Sequence, residues 1–530
     1  TFEHAFNHAT FAEQDVSVKR LTAAAQMTKD NEDPTRAFTG PTSMLAHPTN
    51  PWVIVAATAN LRTRVCYLVR STDAGRTWHI LDALPSPRDY PYCTTTSAAG
   101  VTEAPIAWGR DGTLYYALLG YGPGEGPREG NISVVLARST DLGDTWKTTI
   151  VDNNRGKSGL APSASSGVPG LAVDTSGPRD VVYVGFSHRF LNPPKDSPLN
   201  NMPVLVSVST DGGATFAPPV NLNDFSQVTH EIAGKSYPLL FNSSFGRPFL
   251  AAHDGVVLAV SDSRTPFDDE PPGESYYAMP QVVARSTDQG RTWSVATLGP
   301  PVFTGTGAQT GMGWTPKGGP KGTFIVAYAA TPETADSSGT ADIVVQRSTD
   351  DGKTWSEPLA IDDDNPADLF TSFYPQLGVA PNGRVDVVWQ DNRHQTDYHF
   401  QVRYTYSTDG GVTWAPNVLV SDQPINFNLG VSFNSDLRQP PGVASANQYA
   451  AFGWADTRLG DELTQTQDNF STVAQFSPLP AGTSLLPLVA AVFGGLVAAG
   501  IILLVVLLIR RRRRGPRPSR VERPEPVGAR

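Results

Sequence analysis

STDAGRTW at residues 71–78 returns five more times along the chain: STDLGDTW (139–146), STDGGATF (209–216), STDQGRTW (286–293), STDDGKTW (348–355) and STDGGVTW (407–414). Chance does not place Ser, Asp, Gly, Thr and an aromatic at fixed offsets six times, so one supersecondary unit is repeated. The chemistry of the motif is that of a hairpin turn. Ser and Asp side chains cap turn amides, and Gly supplies a positive φ. Thr and the aromatic open the next strand, and the aromatic is expected to lie over its own hairpin. These Asp residues therefore read as structural.

Working outward, each copy sits in a longer unit. The clearest spans 374–414: YPQLGVAP, then GRVDVVWQDNR, then FQVRYTY, then the turn. Equivalent starts occur at 40–48, 103–112, 168–177, 247–255, 310–318 and 440–448, which makes seven units. Alternating apolar residues give four strands per unit. The seventh has GWADTR and FSTVAQF (470–476) but no STD turn. Its missing outer strand is assigned to QDVSVKR (14–20), so that pairing of the two chain ends closes a ring. The expected fold is all-β, a β-propeller of seven four-stranded antiparallel blades, with six blades as the alternative.

The repeated turns resemble the Asp-boxes, or BNR repeats, of the sialidase superfamily, over roughly residues 40–476. The resemblance implies a propeller and raises the possibility of an exo-acting glycoside hydrolase on anionic terminal sugars. In that superfamily three Arg grip a carboxylate, a Tyr with a Glu base is the nucleophile, and an Asp is the acid/base. Carried onto this chain by position in the repeat, the resemblance implies Arg36, Arg247 and Arg438 as ligand-binding, and Tyr374, Glu103 and Asp89 as catalytic. Arg suits a carboxylate because its planar fork donates two parallel hydrogen bonds. The chain departs from the pattern at its first Arg, where TRAFTGP (35–41) lacks the family's Ile-Pro. The other expected reading is a cell-surface module that recognises glycans or other surface ligands without turnover.

Three second strands end in an acidic–x–Arg pair: Asp262/Arg264, Asp391/Arg393 and Asp456/Arg458, with Asn60/Arg62 as a weaker relative. Residues i and i+2 of a strand face alike. One reading is a ring of Arg for an anionic ligand. The other is an ion pair between neighbouring blades, because a feature repeated in every blade serves the fold whereas a site is needed once. In either case a site is expected on the face opposite the STD turns, around the central channel.

Composition bounds the rest. The chain has 530 residues, with 48 Gly and 45 Pro, and a net charge of −10. Residues 510–530 hold nine Arg and two Glu, or +7, which leaves −17 for residues 1–509. That acidity argues against a nucleic-acid partner. Residues 485–509 (LLPLVAAVFGGLVAAGIILLVVLLI) carry no charge and end in Arg510–Arg514. As a helix they reach ~37 Å, enough to span a bilayer. The charge bias puts residues 1–478 outside and the 510–530 tail in the cytoplasm. The expected organisation is a propeller (1–478), a linker (479–484), a single transmembrane helix (485–509) in the plasma membrane and a disordered basic tail (510–530).

Cys66 and Cys93 form either a disulfide or two buried thiols, and two Cys alone do not make a metal site. No cofactor is expected, although acidic loops at 267–274 and 362–368 have the chemistry of a weak Ca²⁺ site. Asn131, Asn242 and Asn469 each head an N-glycosylation acceptor triplet. Oligomeric state has no signal in the sequence.

Overall fold

The computed structural model describes residues 6–29, 37–63, 65–82, 85–87, 92–93, 105–121, 132–153, 160–162, 169–190, 203–232, 235–241, 248–261, 263–264, 280–303, 311–332, 341–363, 372–393, 399–430 and 440–478. The described residues belong to one compact unit that ends at Leu479. No helix among the described residues is long and apolar enough to cross a membrane, and the run at 485–509 lies outside them.

Each unit of the repeat is an antiparallel sheet. In blade 1 the strands are Ser43–Ala46, Ile54–Asn60, Val65–Ser71 and His79–Ile80. Seven such blades stand around an axis. Their first strands are neighbours in succession, and that of blade 7 (Gly442–Ser445) lies beside that of blade 1. The fold is a closed seven-bladed propeller.

Both faces of a blade are covered by its neighbours, which explains the composition of the inner strands. Ile54–Asn60 (IVAATAN) and Tyr449–Asp456 (YAAFGWAD) are buried at every position. The core is accordingly divided into slabs between successive blades. One joins Val55, Leu68 and Tyr116 across blades 1 and 2. Another joins Met44, Trp78 and Val473 across blades 7 and 1.

The six STD turns share one hydrogen-bond pattern. In blade 4, Ser286 Oγ donates to Asp288 Oδ1 (2.8 Å) and accepts from the Gly290 amide (2.9 Å). Asp288 Oδ1 accepts from the Thr292 amide (3.0 Å), and Oδ2 from the Thr292 hydroxyl (2.7 Å). The turn Gly meets two demands at once. Gly143 has φ +95°, and a Cβ there would lie 2.6 Å from Leu68 of the preceding blade. Gly75, Gly213, Gly290, Gly352 and Gly411 face the preceding blade in the same way.

The turn aromatic does more than expected. It lies against the Gly of its own turn, as expected (Trp293 donates to the Gly290 carbonyl at 3.0 Å), and it also wedges into the slab shared with the preceding blade. Trp78 is fully buried, and its indole N–H donates to Ser471 of blade 7 at 2.9 Å. Trp414 packs against Ile325 and Ala327 of blade 5. A wide apolar ring buries more area between two sheets than on a solvent-facing turn.

The Thr292 amide and hydroxyl hold the Asp288 carboxyl down to about 2. An unfolded Asp titrates near ~3.9. The folded value is the lower one, so the stabilisation is complete above about pH 4 and disappears as the pH falls towards 2. Asp288→Asn is expected to lower the denaturation midpoint at pH 7, with the difference from wild type shrinking between about pH 4 and 2. Chemical denaturation at stepped pH measures it. A difference that stays constant to pH 2 would contradict this role.

Closure of the ring uses the N-terminus, as the sequence suggests, but the pairing begins only at the end of the suggested segment, with Lys19 and Arg20, and continues beyond it. The strands that pair with blade 7's third strand (Asp468–Gln475) are Arg20–Leu21 and Ala25–Gln26. Residues 14–18 lie upstream of that pairing. There Gln14 binds Thr408, and the Val16 carbonyl accepts from the Tyr406 hydroxyl (3.0 Å) of blade 6. Further back, Thr10–Phe11 pairs in parallel with Thr413–Trp414 of blade 6, and Asn7–His8 with Leu359–Ala360 of blade 5. Residues 6–28 thus form a belt along the rim of three blades.

Candidate functional site

The antiparallel course of each blade puts the STD turns on one face. The connections that leave the second strand, and those that approach the next first strand, lie on the other, here called the loop face. Between the first strands runs a channel of about 320 Å³, to whose wall all seven blades contribute.

Six of the seven first strands pair with their second strands in unbroken register. Blade 6 is the exception. Its first strand, Ser372–Val379, shifts register between Phe373 and Gln376. The sequence accounts for the break, because Pro375 has no N–H for the ladder and proline inside sheets is confined to edges and bulges. Within the bulge Tyr374 has φ +57°. Seven described non-glycine residues have positive φ, and four of these precede the Gly of an STD turn. Asp254 and Gln465 lie outside strands, so Tyr374 alone holds this conformation inside one. Proline after it further disfavours anything but extended backbone. Strain of this kind is about 1–3 kcal/mol, persists only where the surroundings impose it, and concentrates at ligand and catalytic sites. The Tyr374 ring is buried (2% exposed) and lies edge-on to Phe373, with centroids 5.4 Å apart.

The structure also places the repeated Arg residues. The Arg393 amide donates to Asp391 Oδ1 (2.7 Å) and its Nε to Asp391 Oδ2 (2.6 Å). Its Nη1 reaches Asp363 (2.7 Å), just beyond the outer strand of blade 5. Arg458 repeats this one blade on, holding Asp456 (2.6 Å) and gripping Asp422 beyond blade 6's outer strand through two hydrogen bonds of 3.0 and 2.6 Å. Arg62 donates to the Thr464 carbonyl of blade 7 at 2.9 Å. Each guanidinium bridges to the preceding blade, so for Arg393 and Arg458 the geometry is that of the inter-blade ion pair and not of a ring of ligand-binding cations. Of the Asp262/Arg264 pair, Arg264 belongs to a two-residue strand and Asp262 lies outside the described residues.

Arg36, Asp89, Glu103, Arg247 and Arg438 also lie outside the described residues, as do Asn131 and Asn242. Cys66 and Cys93 are joined in a disulfide, with Cα atoms 5.8 Å apart. It ties the third strand of blade 1 to a short strand that pairs with blade 2. Asn469 is fully buried and its side-chain N–H donates to Thr58 Oγ1 (2.9 Å), so the folded propeller has no room for a glycan there. Of the acidic stretch 362–368, Asp362 accepts from the Ile343 amide (3.0 Å) and Asp363 holds Arg393 and Asn417. Residues 364–368 and the whole of 267–274 lie outside the described residues. No group of three or more His, Cys, Asp or Glu placed to hold a metal occurs among the described residues.

Sequence reasoning missed one further group. Arg384 and Asp386, side chains fully buried, pair at 2.8 Å, and the Tyr404 hydroxyl donates to Asp386 at 2.6 Å. Arg384 also donates to the carbonyls of Ala446 (3.0 Å) and Tyr449 (2.9 Å) in blade 7. Burial, with Asp386 alongside, pushes the Tyr404 hydroxyl well above the ordinary tyrosine value and keeps it a donor. The signal was present: two opposite charges at i and i+2 in an apolar strand, GRVDVVW.

No family model and no curated protein matches this chain. Among solved structures it is similar to an α-L-arabinanase of Penicillium chrysogenum complexed with arabinobiose (16% identity, 73% of this chain and 93% of that one, TM-score 0.38). It is similar to an ulvan lyase of a polysaccharide lyase family (12%, 82% and 93%, TM-score 0.45). It is also similar to a Trypanosoma rangeli sialidase (13%, 73% and 56%, TM-score 0.39). The fold assignment rests on this chain's own strand pairing.

Proposed function

We propose that this chain is a carbohydrate-recognising propeller that takes its ligand on the loop face, over the mouth of the central channel. The observation that supports it is the bulge in blade 6: a feature needed once, carrying a strained Tyr374, at the inner strand where the loop face meets the channel. Strain of this kind is retained where a ligand site requires it. The uncharged run at 485–509 followed by five Arg would hold this propeller on the outer side of the plasma membrane as a surface glycan receptor.

The second reading is an exo-acting glycoside hydrolase of sialidase type, and the same residue favours it. A neutral tyrosine hydroxyl is a suitable nucleophile beside an anionic sugar because it brings no charge of its own. In that mechanism Glu103 is the base, Asp89 the acid/base, and Arg36, Arg247 and Arg438 grip the carboxylate.

One experiment addresses both. Intact cells displaying the full chain are offered fluorescent glycans and fluorogenic glycosides. The expected result is saturable capture of a subset, weakened at least tenfold by Tyr374→Phe with the denaturation midpoint unchanged. Turnover that Tyr374→Phe and Arg247→Ala both abolish establishes the hydrolase. Capture or turnover unaltered in both variants removes these residues from the site.

A further inference from the structure

The channel wall holds an amide whose nitrogen has no partner among the described residues. Gln376, the last residue of the bulge, is 6% exposed and lines the channel near the start of its strand, as Thr42 and Pro105 do in blades 1 and 2. Its Nε2 is enclosed without a protein hydrogen-bond partner, and so is Oγ of Ser445 in the wall contributed by blade 7. An unpaired buried polar group costs about 1–3 kcal/mol, and native structures keep few of them without a reason. The last torsion of a Gln side chain is broad and its two ends have the same shape. A half-turn therefore presents the NH₂ group to the channel.

The rest of the wall says what could accept that hydrogen bond. Met44, Ile106, Leu171 and Leu250 line it, and no Asp, Glu, Lys, Arg or His does among the described residues. A carboxylate inserted there would lose its water and meet no counter-charge from this wall, which is strongly unfavourable. A neutral ring with apolar C–H faces and a few hydroxyls fits such a surface. The volume of about 320 Å³ matches the lower end of small-molecule sites, about 300–1,000 Å³.

We propose that Gln376 reads a hydroxyl of an uncharged sugar unit seated in the loop-face mouth of the channel. Any anionic part of the ligand stays outside the channel. This rests on the glycan reading above and narrows it to the neutral class.

The test titrates the full chain, solubilised in detergent, with arabinose, galactose, fucose and glucose, and with N-acetylneuraminic and glucuronic acids, by calorimetry. Gln376→Leu keeps the size of the side chain and removes the unpaired amide, so its denaturation midpoint should equal or exceed that of wild type. Gln376→Met keeps the length of the side chain, also removes the amide, and serves if the first variant fails to fold. The expected result is binding of at least one neutral sugar, weakened tenfold or more in either variant. Neutral sugars bound equally by wild type and variants, or acidic sugars alone bound, would overturn the role of Gln376 and leave the glycan reading standing. No binding of any sugar removes both.

Discussion

Arg384→Ala is expected to destabilise the propeller by about 3–5 kcal/mol, the range for breaking one partner out of a buried ion pair. Asp386 is fully buried, and its carboxylate is held by two nitrogens of Arg384 and the Tyr404 hydroxyl. Removing the guanidinium strips two of those donors from a charge that no water can reach. It also cuts the bonds to Ala446 and Tyr449, which join blade 6 to blade 7. The stacking of Arg384 over Phe476, 4.0 Å from the ring centroid, is lost as well. Guanidinium denaturation of wild type and variant gives the difference. The triple replacement Arg384→Met, Asp386→Leu, Tyr404→Phe removes the whole network and should recover most of the loss, because an apolar trio leaves no buried charge. A triple variant as unstable as Arg384→Ala would show that packing alone sets the effect.

Deleting residues 1–28 is expected to prevent folding altogether. Blade 7 has only three strands of its own, and its third, Asp468–Gln475, is buried along nearly its whole length. The belt covers it through amide bonds from Lys19, Thr22 and Met27 to the carbonyls of Gln475, Val473 and Asn469. Met27 is fully buried between blades 7 and 1, which contributes about 1.5–3 kcal/mol. Thr28 donates to the buried Asp468 carboxylate (2.9 Å) and accepts the Asn469 amide (3.1 Å). Without the belt an eight-residue edge strand stands open beside an apolar slab, the condition that promotes aggregation. Deletion of 1–13 removes only the short parallel pairs on blades 5 and 6 and should leave a folded, soluble protein. Added peptide 6–28 should restore solubility to the larger deletion. Soluble, cooperatively unfolding protein from the 1–28 deletion by itself would sink this account of closure.

Much of the architecture was legible because it is periodic. Six copies of one turn and seven starts announce a ring of like sheets. The local chemistry of the turn, with Ser and Asp capping and Gly at positive φ, also follows from residue types. That the turn aromatic also packs into the preceding blade was not legible. Trp78 and Trp414 serve the preceding blade, and a sequence read one unit at a time does not show which neighbour a side chain meets. The belt was misplaced by several residues for a related reason. Residues 6–28 pair with edges more than 350 residues away, and short strand pairs of that kind leave no alternation to read.

The site divides the same way. Tyr374 was singled out from its place in the repeat, and Pro375 in an inner strand already signals a bulge. That Tyr374 adopts the left-handed conformation, and that Gln376 faces a channel with its amide nitrogen unpartnered, required the assembled ring. The repeated Arg residues could equally have gripped a ligand or a blade. Distances decided for Arg393 and Arg458, because the Asp they hold belongs to the blade before.

By itself the sequence determined the element type, the number of repeats and the chemistry of each turn, because these depend on contacts within a few dozen residues. Tertiary structure alone decided which blade each Trp and Arg serves, which segment closes the ring, and which side chains face the channel. Those contacts form only once seven sheets stand around one axis, and their partners lie far apart along the chain.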